Sequence, residues 1–108
     1  LASRRQRQMC IRDSGMGALK HLSDAQCEIK SMRTHPDHLR KGVARIVLEA
    51  LISMAKERGY PTVSLETGTT EVYAPANALY RSFGFQPGDV FGDYIVSDFN
   101  SYYHLEIA

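Results

Sequence analysis

The chain of 108 residues is 44% hydrophobic and 23% charged, the balance of an ordinary globular protein, and its length allows one domain with a modest core and a single active site. A net charge of +1, from 13 basic against 12 acidic residues, excludes the whole-molecule field that drives non-specific nucleic-acid binding, so any anion site must be local. Cys10 and Cys27 form no CxxC pair or dense framework, and the longest apolar stretch, Val43 to Ala55, is too short and too interrupted to span a bilayer. A reduced, cytoplasmic protein without nucleic-acid or membrane partners is expected.

Residues 1–14 carry several arginines but no apolar run, and Gln8 to Ser14 (QMCIRDS) resembles translated sequencing-adapter sequence. They are expected to be a non-native or disordered extension, with residues 15–108 forming the domain. Met16 to Leu22, the turn chemistry of Ser23-Asp24-Ala25-Gln26 and the alternating Glu28 to Thr34 read as a hairpin, with a bulge or splayed end near Ser31-Met32. His35-Pro36-Asp37-His38 stops the second strand. From Gly42 the period changes. Val43, Ile46, Val47, Ala50, Leu51 and Met54 recur at steps of three and four, predicting an amphipathic helix of about four turns. Lys56 and Arg58 suit its C-terminal end, Gly59 its C′ position, and Pro61 bars continuation.

Thr62 to Glu66 is rich in β-branched residues, and a strand after that helix implies a parallel βαβ unit. A polar loop, Thr67-Gly68-Thr69-Thr70, leads to a second helix over Pro75 to Phe83, closed by Gly84. Phe85 opens a further extended piece. Pro87 to Asn100 reads as an irregular excursion, part strand at Tyr94-Ile95-Val96, before a last strand over Tyr102 to Ile107.

The chemistry concentrates where the hairpin strand passes into the first helix. A helix N-terminus offers unpaired N–H groups and the positive end of the dipole, and Gly42 and Ala44 let a phosphate come close beside Arg40 and Lys41. The loop lacks the GK[ST] ending of a P-loop and the GxGxxG of a dinucleotide fold. By itself, such a basic junction also occurs in proteins that bind nothing there.

Leu39-Arg40-Lys41-Gly42-Val43-Ala44, following a strand and opening a long helix, resembles motif A of the GNAT N-acetyltransferase family, Q/R-x-x-G-x-G/A. Leu39 replaces the usual Gln or Arg, although in the family the diphosphate is held mostly by backbone. Downstream, Leu79-Tyr80-Arg81-Ser82-Phe83-Gly84-Phe85 matches the family's L-Y-x-x-x-G-F in full. The resemblance implies an α/β, three-layer acyl-CoA N-acyltransferase fold, a mixed sheet flanked by helices. The chain would cover that fold from its third strand onward, lacking the first strand, the first two helices and the second strand.

The implied function is transfer of acetyl from acetyl-CoA, as cosubstrate, to a primary amine of a small molecule, amino acid or peptide, without a metal. A non-catalytic coenzyme A-binding or interaction module is the alternative. The cofactor contacts carried over are Met32, Arg33 and Thr34 at the splayed strand, whose N–H groups would polarise the thioester oxygen, and Leu39, Arg40, Lys41, Gly42, Val43 and Ala44 at the diphosphate. An amine acceptor with a pKa near ~10 must lose a proton before attack. Glu28, fourteen positions ahead of Gly42, stands where histone-type members place their base, with Glu66 second. A solvated strand-end carboxylate is the competing account of Glu28.

Tyr80 holds the position from which many members assist the leaving thiolate; an aromatic packed on the inner helix face is its competing account. The asparagine that members use near the second helix aligns with Tyr73, and Asn77 is out of register, so that contact is not carried over. His35, His38 and His104 lack a ligand pattern and are expected in solvated positions. Phe91, Tyr94, Phe99, Tyr102 and Tyr103 suit an acceptor pocket, a homodimer contact or simply the core.

Overall fold

Alternating stretches and stretches with a three-to-four step divide the chain into a sheet and the helices that cover it. The structure, a computed structural model, describes residues 6–11, 15–34 and 42–107, with side chains described for 17–30 and 42–107. Its strands are β1 (Gln6–Ile11), β2 (Gly15–Ser23), β3 (Gln26–Thr34), β4 (Thr62–Gly68), β5 (Gln86–Pro87) and β6 (Asn100–Glu106), and its helices α1 (Val43–Glu57) and α2 (Ala74–Ser82). They form one mixed sheet of order β1-β2-β3-β4-β6-β5, in which β3 and β4 run parallel and every other pair antiparallel.

The β2–β3 hairpin turns at Asp24-Ala25, inside the expected Ser23 to Gln26 turn. Its register steps from Met16↔Arg33 to Ala18↔Lys30, so β3 spends one residue more than β2 across Ser31-Met32, a bulge where the sequence breaks its alternation. Helix α1 begins directly after Gly42, which takes φ 76°. It ends with Gly59 at φ 81°, a left-handed residue just past the helix, before Pro61.

Register divides the sheet into two faces, because paired residues point the same way. Leu19, Ile29, Leu65 and Tyr103 stand in one row and join Val47, Leu48, Leu51, Ile52 and Ala55 of α1 and Tyr80 of α2 in one buried cluster. Both helices therefore cover the same face. Gly17 lets α1 approach, since a Cβ there would lie 2.6 Å from Leu51 Cδ1. The opposite face carries the row Lys20, Glu28, Ser64 and His104, and is roofed by residues 88–99.

Three features differ from the sequence reading. Residues 6–11, set aside there as part of an extension, pair as the edge strand β1 along β2, so the sheet extends one strand further than expected. Tyr94-Ile95-Val96 joins no strand: Ile95 O accepts from the Tyr102 hydroxyl at 3.0 Å, and Ile95 and Val96 are exposed. A 3-10 turn, Glu71–Tyr73, precedes α2, which carries Pro75 in its first turn. Among the described residues no helix is long and apolar enough to cross a membrane.

Candidate active site

Strands β3 and β4 pair from Gln26↔Thr62 to Ile29↔Leu65 and then part. β4 continues to Gly68, held on its other side by β6 as far as Gly68↔Asn100. From Lys30 onward the β3 edge that faced β4 has no strand partner among the described residues, so backbone groups are left to meet a ligand. The opening is a cleft of about 500 Å³, floored by Glu28, Ile29 and Lys30 of β3 and Leu65 to Gly68 of β4. Tyr73, Ala76 and Tyr80 wall it on the α2 side, and Tyr94 and Phe99 on the other.

Helix α1 must run against both parallel strands to connect them, so its N-terminus lies at their carboxyl ends, beside the cleft. Gly42 occupies its N-cap position in the left-handed region; an added Cβ would meet nothing within 4 Å among the described residues, and it is the dihedral angle that favours glycine there. The first turn holds no acidic side chain to compete for the N–H groups of Val43 and Ala44. Arg45 lies with its guanidinium 5.0 Å from the centre of the Phe83 ring, adding positive charge at the same end. Leu39, Arg40 and Lys41 lie outside the described residues, as do His35 and His38. Met32, Arg33 and Thr34 are placed as backbone at the end of β3, their side chains outside the description.

Glu28 and Tyr80 line the same cleft from opposite sides. Glu28 is 2% exposed, which removes the reading of it as a solvated carboxylate. A buried carboxylate needs a hydrogen-bond donor, and the Tyr94 hydroxyl supplies one to Oε2. Tyr80 is 8% exposed and packs its ring near Phe85 and Tyr103, at centroid distances of 6.0 and 6.3 Å. Its ring belongs to the core, as the packing account of this residue expects, and the residue also lines the cleft. Burial, and secondarily the charge of Glu66, pushes its hydroxyl above the ordinary tyrosine range, so it keeps its proton at neutral pH. Glu66 also lines the cleft, one residue beyond the last β3–β4 pair.

Three features were not read from the sequence. Asn77 ties α2 to the end of β4, receiving a hydrogen bond from Thr67 Oγ1 at 2.8 Å and donating to Gly68 O at 3.0 Å. An asparagine inside a short helix, where its propensity is poor, was the available signal. Tyr73 lies against Gly68, whose absent Cβ would fall 2.3 Å from the ring. His104, expected to be solvated, is instead bonded within the sheet: its Nδ1 is 2.7 Å from Ser64 Oγ and its Nε2 2.9 Å from Asp89 O. Ser64 in turn accepts from Gln26 Nε2 at 2.7 Å. The polar row is thus satisfied, and no buried side-chain donor or acceptor among the described residues lacks a partner.

The chain as a whole is similar to known proteins in sequence and in fold. The chain is 54% identical over 81 residues to the uncharacterized N-acetyltransferase YsnE of Bacillus subtilis, a match covering 75% of this chain and 54% of that protein. It therefore spans about half the length of that relative. The structure of a putative acyl-CoA N-acyltransferase from Klebsiella pneumoniae superposes with a TM-score of 0.78 at 27% identity, over 86% of this chain and 63% of the other. A GNAT family acetyltransferase from Elizabethkingia anophelis, with acetyl-CoA bound, matches in fold with a TM-score of 0.73 at 19% identity, over 87% of this chain and 69% of the other. The acetyltransferase (GNAT) family profile matches residues 13–85, most of the chain, and the chain belongs to that family.

Proposed function

We propose that this chain carries the cofactor-binding and catalytic core of an N-acetyltransferase, moving acetyl from acetyl-CoA to a primary amine of a small molecule, amino acid or peptide. The observation that carries the reading is the cleft in the β3–β4 gap, into which Glu28 and Tyr80 converge beside the N-terminus of α1. The groups present fit the cosubstrate. The free β3 edge offers backbone N–H groups to a carbonyl oxygen, and the α1 N-terminus, opened by left-handed Gly42, offers them to a diphosphate. Acetyl-CoA supplies an acyl group on a good leaving thiolate; the protein supplies position and proton management.

In this reading Glu28, held by Tyr94, takes a proton from the acceptor ammonium, directly or through one water, and frees the nitrogen lone pair. Tyr80 retains its proton and donates it towards the departing sulfur. Met32 to Thr34 act through backbone and not through side-chain identity. Cys27, a buried free thiol, fits a reducing, cytoplasmic setting.

Calorimetric titration with coenzyme A tests the site. Gly42→Glu, which sets a carboxylate where the diphosphate would lie, should weaken binding at least about tenfold, whereas Gly42→Asn, tolerant of the left-handed region, should bind within a few-fold of the native chain. Equal affinity for Gly42→Glu and the native chain would remove the assignment. Thiol release with panels of amines, amino acids and peptides would then define the acceptor.

A further inference from the structure

Tyr94 belongs to neither motif and lies 66 positions from Glu28, yet its hydroxyl is bonded to that buried carboxylate. The segment that carries it is irregular but anchored on both sides. Asp89 O contacts His104 Nε2 at 2.9 Å, Gly88 N donates to Tyr102 O at 2.9 Å, and Ile95 O accepts from the Tyr102 hydroxyl at 3.0 Å. The ring itself is gripped by aromatic neighbours. Phe91 meets it edge-on with centroids 5.4 Å apart, Tyr102 lies 5.8 Å away, and Lys30 Nζ sits 5.7 Å over its face.

We propose that Tyr94 is a positioning residue for Glu28, holding the carboxylate in the orientation that receives the acceptor's proton; the proposal rests on the acetyltransferase reading above. Tyr94 donates to Oε2 and leaves Oε1 to take the proton, so the N–H bond of the acceptor breaks as an O–H bond forms on Glu28. Glu28 and Tyr94 also line a second, smaller cavity of about 120 Å³ beside Lys20 and Asp93. Their bonded pair therefore stands between the two spaces. Without the hydroxyl, the carboxylate is free to turn from the cleft towards that second cavity and its lysines. Burial, then the hydrogen bond and charge of Glu28, push the Tyr94 hydroxyl above its ordinary range, which keeps it a donor throughout the working pH range.

The test is a double-mutant cycle in the full-length protein, read as kcat and as KM for acetyl-CoA. Tyr94→Phe keeps the ring and its packing and should lower kcat by about tenfold or more with KM for acetyl-CoA within about twofold. In a Glu28→Gln background the same change should cost less than about twofold, because there is no longer a base to orient. Full activity in Tyr94→Phe would overturn the proposal, as would losses that simply multiply in the double variant, the signature of a structural role. If Glu28→Gln alone leaves kcat unchanged, the base assignment falls and the positioning role with it. Coenzyme A binding and its dependence on Gly42 would be untouched by that result.

Discussion

Tyr80 is a core residue that, in the proposed reading, also serves as the proton donor. Its ring fills the junction between α2, Phe85 and Tyr103, while the hydroxyl stays protonated through burial and the nearby carboxylate of Glu66. Tyr80→Phe preserves the ring and removes only the donor. In the full-length protein it should lower kcat by about 100-fold and leave KM for acetyl-CoA within about twofold, a split that initial-rate kinetics resolves. Tyr80 was legible because it sits in a contiguous motif, Leu79 to Phe85. Tyr94 was not, since nothing in the sequence around position 94 indicates a partner at position 28. Glu28 was intermediate: its position suggested a base, but only its burial and its bond to Tyr94 decide against a solvated carboxylate.

The helices and strands position these side chains through a few joints. Asn77 is one, placed in α2 three residues before Tyr80 and bridging the buried Thr67 hydroxyl and Gly68 O at the end of β4. Asn77→Ala leaves the Thr67 hydroxyl and that carbonyl without their partner. It should destabilise the chain by about 1–3 kcal/mol in denaturant titration, and it should loosen the α2 wall of the cleft enough to weaken coenzyme A binding. Helix α1 was legible from its period and its end signals, and the hairpin from alternation around a turn, because both are local. The 3-10 turn before α2 and the irregular path of residues 88–99 were not. They follow from Tyr73 lying on Gly68 and from side chains of β6 bonding the excursion's backbone.

Across the whole molecule, stability comes from one apolar face of the sheet under two helices, with a polar row on the other face. Cys27, fully buried on β3, is part of that core, and burial raises its thiol from 9.0 to about 12, partly offset by Arg58. An acid whose folded pKa is raised leaves stability unaffected well below the unfolded value and diminishes it above, as the unfolded chain releases a proton the folded chain retains. Melting temperature should therefore fall as pH rises from about 9. Cys27→Ala should melt lower at neutral pH, by a cavity term of about 1 kcal/mol, but decline less steeply between pH 9 and 10, which circular dichroism can follow. Sequence alone determined the α/β class, the parallel unit around α1 and the family, because these rest on periods, end signals and contiguous motifs that each lie within a short stretch of chain. Only the tertiary structure decided that β3 and β4 part beyond Ile29, that residues 6–11 join the sheet edge, and that Tyr94 holds Glu28. Those depend on which distant segments the sheet order brings together, and no local pattern encodes a contact made across the fold.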